Sequence, residues 1–423
     1  MFATMLTLML GVCDLGTEFA GDAGWNTPGE TFVSAHAADG FKFASDKGDV
    51  ANCMRRGACA WHGLEVWEAR LYYKGGAAEK VELSLYNRGD DKGPEGLSAE
   101  GLKTLLDKAA AAAEPGGKIG ANPEKRKLRN GGFQFVRRFT KGENDVELAW
   151  GVNGAKAKDL TADYVRVTVV RKGAARSSRP VAGVVSSAKA KANVVRNDEG
   201  DVWIDNVPMV DQGQKGYCAC AVSERVLRYY GKDVDEHQIA QMAGSTAGGG
   251  TSIAEMIETV RTVGSRNRLG FQSVVSMTGS VKDINKDVEQ YNKAAKSMGE
   301  PTIDIASCTK GNCIMIGMID ERMKSDVILK MRMKDSRYKR FLDGVRKQID
   351  LGVPVFWGVT LGKFPEPEIP QASGGHMRLI IGYNKTKHKI IYSDTWGAGH
   401  ERKTMDEDKA FAITHDAFYL KPL

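Results

Sequence analysis

The sequence has no stretch reaching the roughly 18 to 20 apolar residues needed to span a bilayer, so its folded part is expected to be soluble. Its seven cysteines are too few, in 423 residues, to staple a disulfide-dense miniature fold. A hydrophobic core must therefore carry the structure. Composition is otherwise average, at 42% hydrophobic, 27% charged and 8% aromatic, with 48 Gly as the one mild excess. These values exclude a disordered, collagenous or membrane-embedded chain. At about 150 residues per domain, the length suggests two or three domains.

A net charge of +7 raises the question of a nucleic-acid partner. From Arg171 to Arg196 there are seven basic residues (Arg171, Lys172, Arg176, Arg179, Lys189, Lys191 and Arg196) and no Asp or Glu, so the rest of the chain is near neutral. That segment lacks the interleaved aromatics on which bases stack, so no nucleic-acid partner is expected. At the start, Met1 to Val12 is a short apolar run of secretory type, without a basic leading region or a clean small-residue cleavage site. Residues 1–24 are read as a leader truncated at its start. Export is the expected localisation, whether secreted, periplasmic or surface-attached, with the cytoplasm left open. Cys13 is read as incidental to the leader rather than as a lipid-attachment site.

Between about 60 and 172 apolar residues alternate, as in Trp67-Glu-Ala69-Arg-Leu71 and Val81-Glu-Leu83-Ser-Leu85, with Lys74-Gly-Gly-Ala-Ala between them as a hairpin turn. A helix is predicted over Ser98 to Ala113, and three further strand-like runs follow up to Arg171. Residues 25–172 thus read as an α+β accessory domain with no nucleophile–base pair, phosphate loop or metal spacing. Residues 173–200 lose aromatics and read as a basic linker. Residues 201–423 form the second domain, with helices first and an antiparallel sheet last. Helices are predicted over Tyr217 to Tyr230, from Ser252 to Gly264 behind a Ser252-Ile-Ala-Glu255 capping box, through Val281 to Met298, and through Tyr338 to Ile349. Strands are predicted over Val355 to Leu361, Met377 to Tyr383 and Lys389 to Asp394.

The chemistry-bearing residues lie in that second domain. Gln212 stands six positions before Cys218, Gly374-Gly375-His376 heads one strand, and Ser393-Asp394-Thr-Trp396-Gly397 ends the next. A thiol at a helix N-terminus sits at the positive end of the dipole, which lowers its pKa, and a nearby imidazolium lowers it further. Cys218 is therefore the candidate nucleophile, with His376 as general base and acid and Asp394 orienting the ring. The Gln212 amide and the Cys218 backbone N–H are candidate donors to an oxyanion. Cys220 lies about 200° around the helix from Cys218 and is read as core. His237 is expected on the solvated face of a short helix. The pairs Cys53/Cys59 and Cys308/Cys313 could close small disulfide loops or stay free. A zinc site is the less favoured reading of either, because neither has the CxxC spacing.

This arrangement resembles the papain-like cysteine peptidases over about residues 201–420. The phrases Tyr217-Cys-Ala-Cys-Ala-Val-Ser-Glu-Arg-Val-Leu-Arg-Tyr and Gly248-Gly-Gly-Thr-Ser252 are most similar to the branch that includes bacteriocin-leader-processing peptidases. The sequence departs from papain in having Lys215 where a disulfide cysteine usually sits, Ala219 in place of a Trp, and Asp394 where papain has Asn. The resemblance implies a papain-like α+β fold and a peptide or protein substrate, cleaved without a cofactor or metal. It further implies that Gly248, Gly249 and Gly250 line the substrate cleft and that Trp396 shields the His–Asp contact. Gly375 gives the backbone freedom for close approach, and the stiff Pro365–Pro370 stretch is expected to wall the cleft. Two alternatives remain open at this point: a transpeptidase or transamidase using the same triad, and a non-catalytic peptide-binding protein.

Overall fold

The computed structural model describes residues 12–91, 96–114, 123–127, 132–153, 161–172, 186–213, 216–232, 234, 236–243, 253–277, 280–311 and 313–423. The chain divides into two compact units, one built on residues 1–180 with 213–216 and 240–250, the other on the remainder. No described helix is long and apolar enough to cross a membrane.

The first unit is organised by an eight-stranded antiparallel sheet, in the spatial order Lys42–Phe43, Val50–Cys53, Glu68–Lys74, Ala77–Asn87, Thr161–Arg171, Asn144–Asn153, Phe133–Lys141 and Glu124–Lys127. The hairpin expected around Lys74 forms through Gly75 and Gly76, both at positive φ, as a two-residue turn matching the twist of the strands requires. The helix Ala99–Ala113 starts on a Ser98 cap and buries Leu102, Leu106, Ala109, Ala110 and Ala113 against the sheet.

The leader reading of residues 1–24 fails from Cys13 onward. Leu15, Phe19 and Trp25 lie in the core of this unit, Trp25 donates from Nε1 to Asn144 at 3.1 Å, and Asn144 in turn donates to the Phe19 carbonyl. Hydropathy cannot tell such a buried segment from a leader, because both are apolar. Residues 1–11 lie outside the described residues. The linker is also shorter than expected. Ser187–Ala192 is helical and Val194–Arg196 pairs antiparallel with Asp201–Ile204, since Val194 and Val195 supply an edge-strand pair opposite Ile204 and Trp203. Residues 173–185 lie outside the described residues.

The second unit carries another antiparallel sheet, in the order Val194–Arg196, Asp201–Ile204, Gly374–Asn384, Val355–Leu361, Thr414–Pro422 and Leu269–Ser276. Lys389–Ser393 also pairs with Gly374–Asn384 and is flanked by Lys403–Asp406. Every residue of Val355–Leu361 is buried, which explains its unbroken apolar run. Gly382 is required by close approach, because a Cβ there would lie 2.4 Å from the Val202 carbonyl. The helix Cys218–Tyr229 is buried from Ala219 to its end, including Glu224, Arg225 and Arg228. Three further helices, Ile253–Arg266, Val281–Met298 and Arg337–Asp350, lie where periodicity places them. Their strict succession is broken by the strand Leu269–Ser276, which reaches across the sequence to pair with the last strand. The Ser252 capping box lies outside the described residues. His237 is buried rather than solvated, its ring set edge-on to Tyr217 at 6.0 Å. All seven cysteines are described, and none of them forms a disulfide.

Candidate active site

Cys218 is the first residue of its helix, and Tyr217 at the N-cap position provides no side-chain cap. The helix therefore presents its dipole and leading amides at the thiol. His376 stands on Gly374–Asn384 opposite Val359, and Asp394 follows directly on Lys389–Ser393, whose last residue pairs with Leu379. Strand pairing thus brings together two residues eighteen positions apart. His376 Nε2 and Asp394 Oδ1 are 2.6 Å apart, and both side chains are fully buried. With Nε2 engaged, Nδ1 is the ring nitrogen left for Cys218.

Burial alone would drive the imidazole toward neutrality. The Asp394 carboxylate and then the Cys218 thiolate outweigh it and hold His376 up at about 9. Burial would likewise raise the Cys218 thiol, but attraction to His376 and the backbone amides at Met377 and Ala219 bring it below its ordinary value. Asp394 is driven up by burial and then held down at about 2 by His376, Arg378 and the Thr395 amide. The arrangement therefore favours a thiolate–imidazolium pair with an ionised carboxylate behind it. Trp396 stacks on His376, with ring centroids 4.4 Å apart and planes 6° from parallel, and covers the ring.

Residues 204–419, just over half of the chain, match the family model described as Peptidase_C39 like family. The chain belongs to this family. It is thus a papain-like cysteine peptidase by family, with the mixed helices and sheets of that class. Among solved structures it is similar to xylellain, a cysteine protease from Xylella fastidiosa, at 12% identity and a TM-score of 0.27, over 55% of this chain and 88% of that one. No curated protein matches the sequence.

In this C39-like unit Gln212 is anchored twice to Thr395. Its amide N–H donates to the Thr395 carbonyl at 2.8 Å, and its side-chain oxygen accepts from the Thr395 hydroxyl. An amide held by its oxygen points its NH2 the other way, as an oxyanion donor must. Gly375 is exposed, with nothing within 4 Å of where a Cβ would stand. Gly248, Gly249 and Gly250 lie outside the described residues. Cys220 is fully buried, unlike the partly exposed Cys218.

Two buried arginines complete the site, and sequence reasoning missed both. Arg378 donates from Nε to Asp394 Oδ2 at 2.8 Å and from Nη1 to Glu366 at 2.8 Å, and its guanidinium lies over the Tyr392 ring. Tyr392 donates to the same Glu366 oxygen at 2.6 Å, so the proline-rich stretch carrying Glu366 is tied to the triad carboxylate. Arg225 lies seven positions after Cys218 on the same helix. It donates to the carbonyls of Asp394 and Pro208, at 2.6 and 2.8 Å, and to the Ser393 hydroxyl at 2.6 Å. The helix of the nucleophile is thereby fastened to the segments bearing Asp394 and Gln212.

Proposed function

We propose that this protein hydrolyses peptide bonds through a covalent thioester on Cys218. The observation that carries the reading is the buried His376–Asp394 contact at 2.6 Å under Trp396, with the ring's other nitrogen left for a helix-start thiol of depressed pKa. The thiolate attacks the scissile carbonyl carbon, and the Cys218 N–H and the Gln212 side-chain NH2 stabilise the oxyanion. The intermediate collapses with breakage of the C–N bond, and His376 gives its Nδ1 proton to the leaving amine. A water then loses a proton to His376 and attacks the thioester, releasing the acid and restoring the ion pair. Asp394 keeps the ring in one orientation and stays ionised throughout. Gly375, and by family resemblance Gly248–Gly250, present bare backbone to the substrate, while Trp396 excludes water from the His–Asp contact. The first unit, from Cys13 to Lys172, serves as an accessory domain outside this chemistry, and the chain acts after export.

A peptidyl electrophile that alkylates thiolates, followed by peptide-library profiling of the full chain, tests this reading. Stoichiometric labelling at Cys218 with hydrolytic turnover is expected. Transfer of the acyl group to added amines in preference to water would replace hydrolysis with transpeptidation. Absence of labelling and turnover would favour a peptide-binding role.

A further inference from the structure

Away from this chemistry, the first unit holds a cavity of about 100 Å³. Its floor is a row of three valines on neighbouring strands, set side by side by the register: Val169 pairs with Val81 on one side and with Val146 on the other. Leu15, Phe19 and Trp61 form its walls, and all six residues are buried. Asn144 also lines it, but its side chain is already engaged, Oδ1 accepting from the Trp25 indole and Nδ2 donating to the Phe19 carbonyl. The interior therefore offers a guest mainly apolar contact.

The polar end of the cavity is a pair of bases. Lys141 and His62, both half-exposed, line it beside the exposed Ala20 and Gly142. Lys141 Nζ lies 3.0 Å from His62 Nε2 and donates to the Ala112 carbonyl at 2.6 Å. An ammonium can only donate, so Nε2 is the unprotonated ring nitrogen. Two of the three N–H groups of Lys141 are thereby used, and the third has no partner among the described residues. The nearby Asp14 carboxylate supplies none, because it accepts from the backbone amides of Gly16, Thr17, His62 and Gly63. Those bonds hold His62 at φ +48°, a strained conformation for a residue with a side chain. Gly16 completes the clamp, since a Cβ there would lie 2.6 Å from His62 Nδ1. Backbone strain and a bare glycine thus keep an imidazole against a lysine that has no acid.

We propose that this cavity binds a short aliphatic monocarboxylate, its tail on the valine floor and its carboxylate on the third N–H of Lys141. An apolar cavity of about 150 Å³ admits benzene, so this smaller one suits a tail of roughly three or four carbons. The ammonium–carboxylate contact is a charge-assisted hydrogen bond, and burial of the tail adds affinity that chloride or phosphate cannot gain. His62 and the Ala112 carbonyl fix Nζ before the ligand arrives, which makes His62 a positioning residue. Every group involved lies in the first unit, so the site stands independently of the thiol chemistry.

The test is isothermal titration calorimetry of the full chain with butyrate, acetate, butyramide and N-acetylvaline. One butyrate per chain is expected, saturating in the millimolar range. Its affinity should exceed by about tenfold or more that of butyramide, which has the tail without the charge, and that of acetate, which has the charge without the tail. These arms use the unmutated chain and depend on no variant folding. N-acetylvaline carries the same chemistry as a peptide end: tighter binding than butyrate identifies the ligand as a peptide's C-terminal residue, and weaker binding identifies it as a free acid. Lys141→Gln should weaken butyrate by about tenfold or more, whereas Cys218→Ala should leave it unchanged. Butyramide or acetate binding as well as butyrate, no saturable butyrate binding, or an affinity indifferent to Lys141→Gln would each overturn the proposal.

Discussion

Arg378 and His376 hold the two oxygens of one buried carboxylate: Nε of Arg378 lies 2.8 Å from Oδ2 of Asp394, and Nε2 of His376 lies 2.6 Å from Oδ1. Both donors approach from the same strand, two residues apart, so Asp394 is fixed by a fork built on the neighbouring strand together with the Thr395 amide of its own loop, which donates to Oδ1 at 2.9 Å. Arg378 thereby acts on the imidazole through the carboxylate. It is a positioning residue.

Arg378→Gln removes a cation that shares the Asp394 carboxylate and opposes the imidazolium, so the still ionised carboxylate becomes more basic and the imidazolium it supports a weaker acid. The alkaline limb of kcat/KM against pH should move to higher pH, and Arg378→Lys should restore part of the shift. The lost buried partner should also destabilise the fold by about 3 to 5 kcal/mol, read by denaturant titration. An unmoved alkaline limb in a folded Arg378→Gln variant would show that the guanidinium only packs.

Asp394→Asn should be costlier than a simple ring-orienting role implies. An amide has one acceptor oxygen, and the site offers donors from both His376 and Arg378, so one of them must face an NH2. An unmade buried hydrogen bond of about 1 to 3 kcal/mol corresponds to roughly 5- to 150-fold in kcat. Adding Arg378→Gln to Asp394→Asn should then cost less than the two single losses multiplied. Fully multiplicative losses would mean that the two residues do not share this contact.

The pH dependence follows from the pair itself. Activity should rise as Cys218 loses its proton, at a pH below that of an ordinary thiol, and fall through about 9 as His376 loses its own. For folding, the His376 contribution is complete below its ordinary 6.5 and is lost as pH climbs through about 9. That of Asp394 is present above its ordinary 3.8 and is lost as pH falls toward 2. A kcat/KM profile whose alkaline limb lies at 6.5 or below would refute the thiolate–imidazolium pair.

Gln212→Ala should lower kcat by about 100- to 1000-fold, the cost of one oxyanion donor, with little change in KM. Thr395→Val should reproduce a smaller part of that loss, because it frees the Gln212 oxygen that now accepts from the Thr395 hydroxyl. A Gln212→Ala enzyme with normal kcat would remove this residue from the reaction.

Cys218, His376, Asp394 and Gln212 are picked out in the sequence by residue type and spacing, and the 2.6 Å approach of His376 to Asp394 follows from two strands that read as plain apolar runs. Arg225 and Arg378 are not so marked. A charged residue in a sequence reads by default as solvent-facing, and only the pairing of Gly374–Asn384 with Lys389–Ser393 shows that Arg378 faces a carboxylate. The residues from Cys13 to Trp25 misread for the converse reason, since a segment bound for the core and a segment bound for export share one hydropathy. His237 failed similarly: a short helix with mixed polarity gives no sign that both its faces are covered. The strand Leu269–Ser276 was lost because its pairing with the last strand shifts register between Ser273 and Val275, so no clean alternation survives.

The choice between Cys218 and the other thiols is the most exposed point of this account, and brief alkylation by iodoacetamide near pH 6 with peptide mapping tests it directly. A thiol of ordinary pKa, about 8.5, is almost wholly protonated at that pH, whereas one paired with an imidazolium at a helix start is not. Cys218 should be modified well before exposed Cys313 and buried Cys220, and His376→Ala should slow its modification. Faster labelling at Cys220 or Cys313, or a Cys218 rate indifferent to His376, would contradict the ion pair on which the mechanism rests.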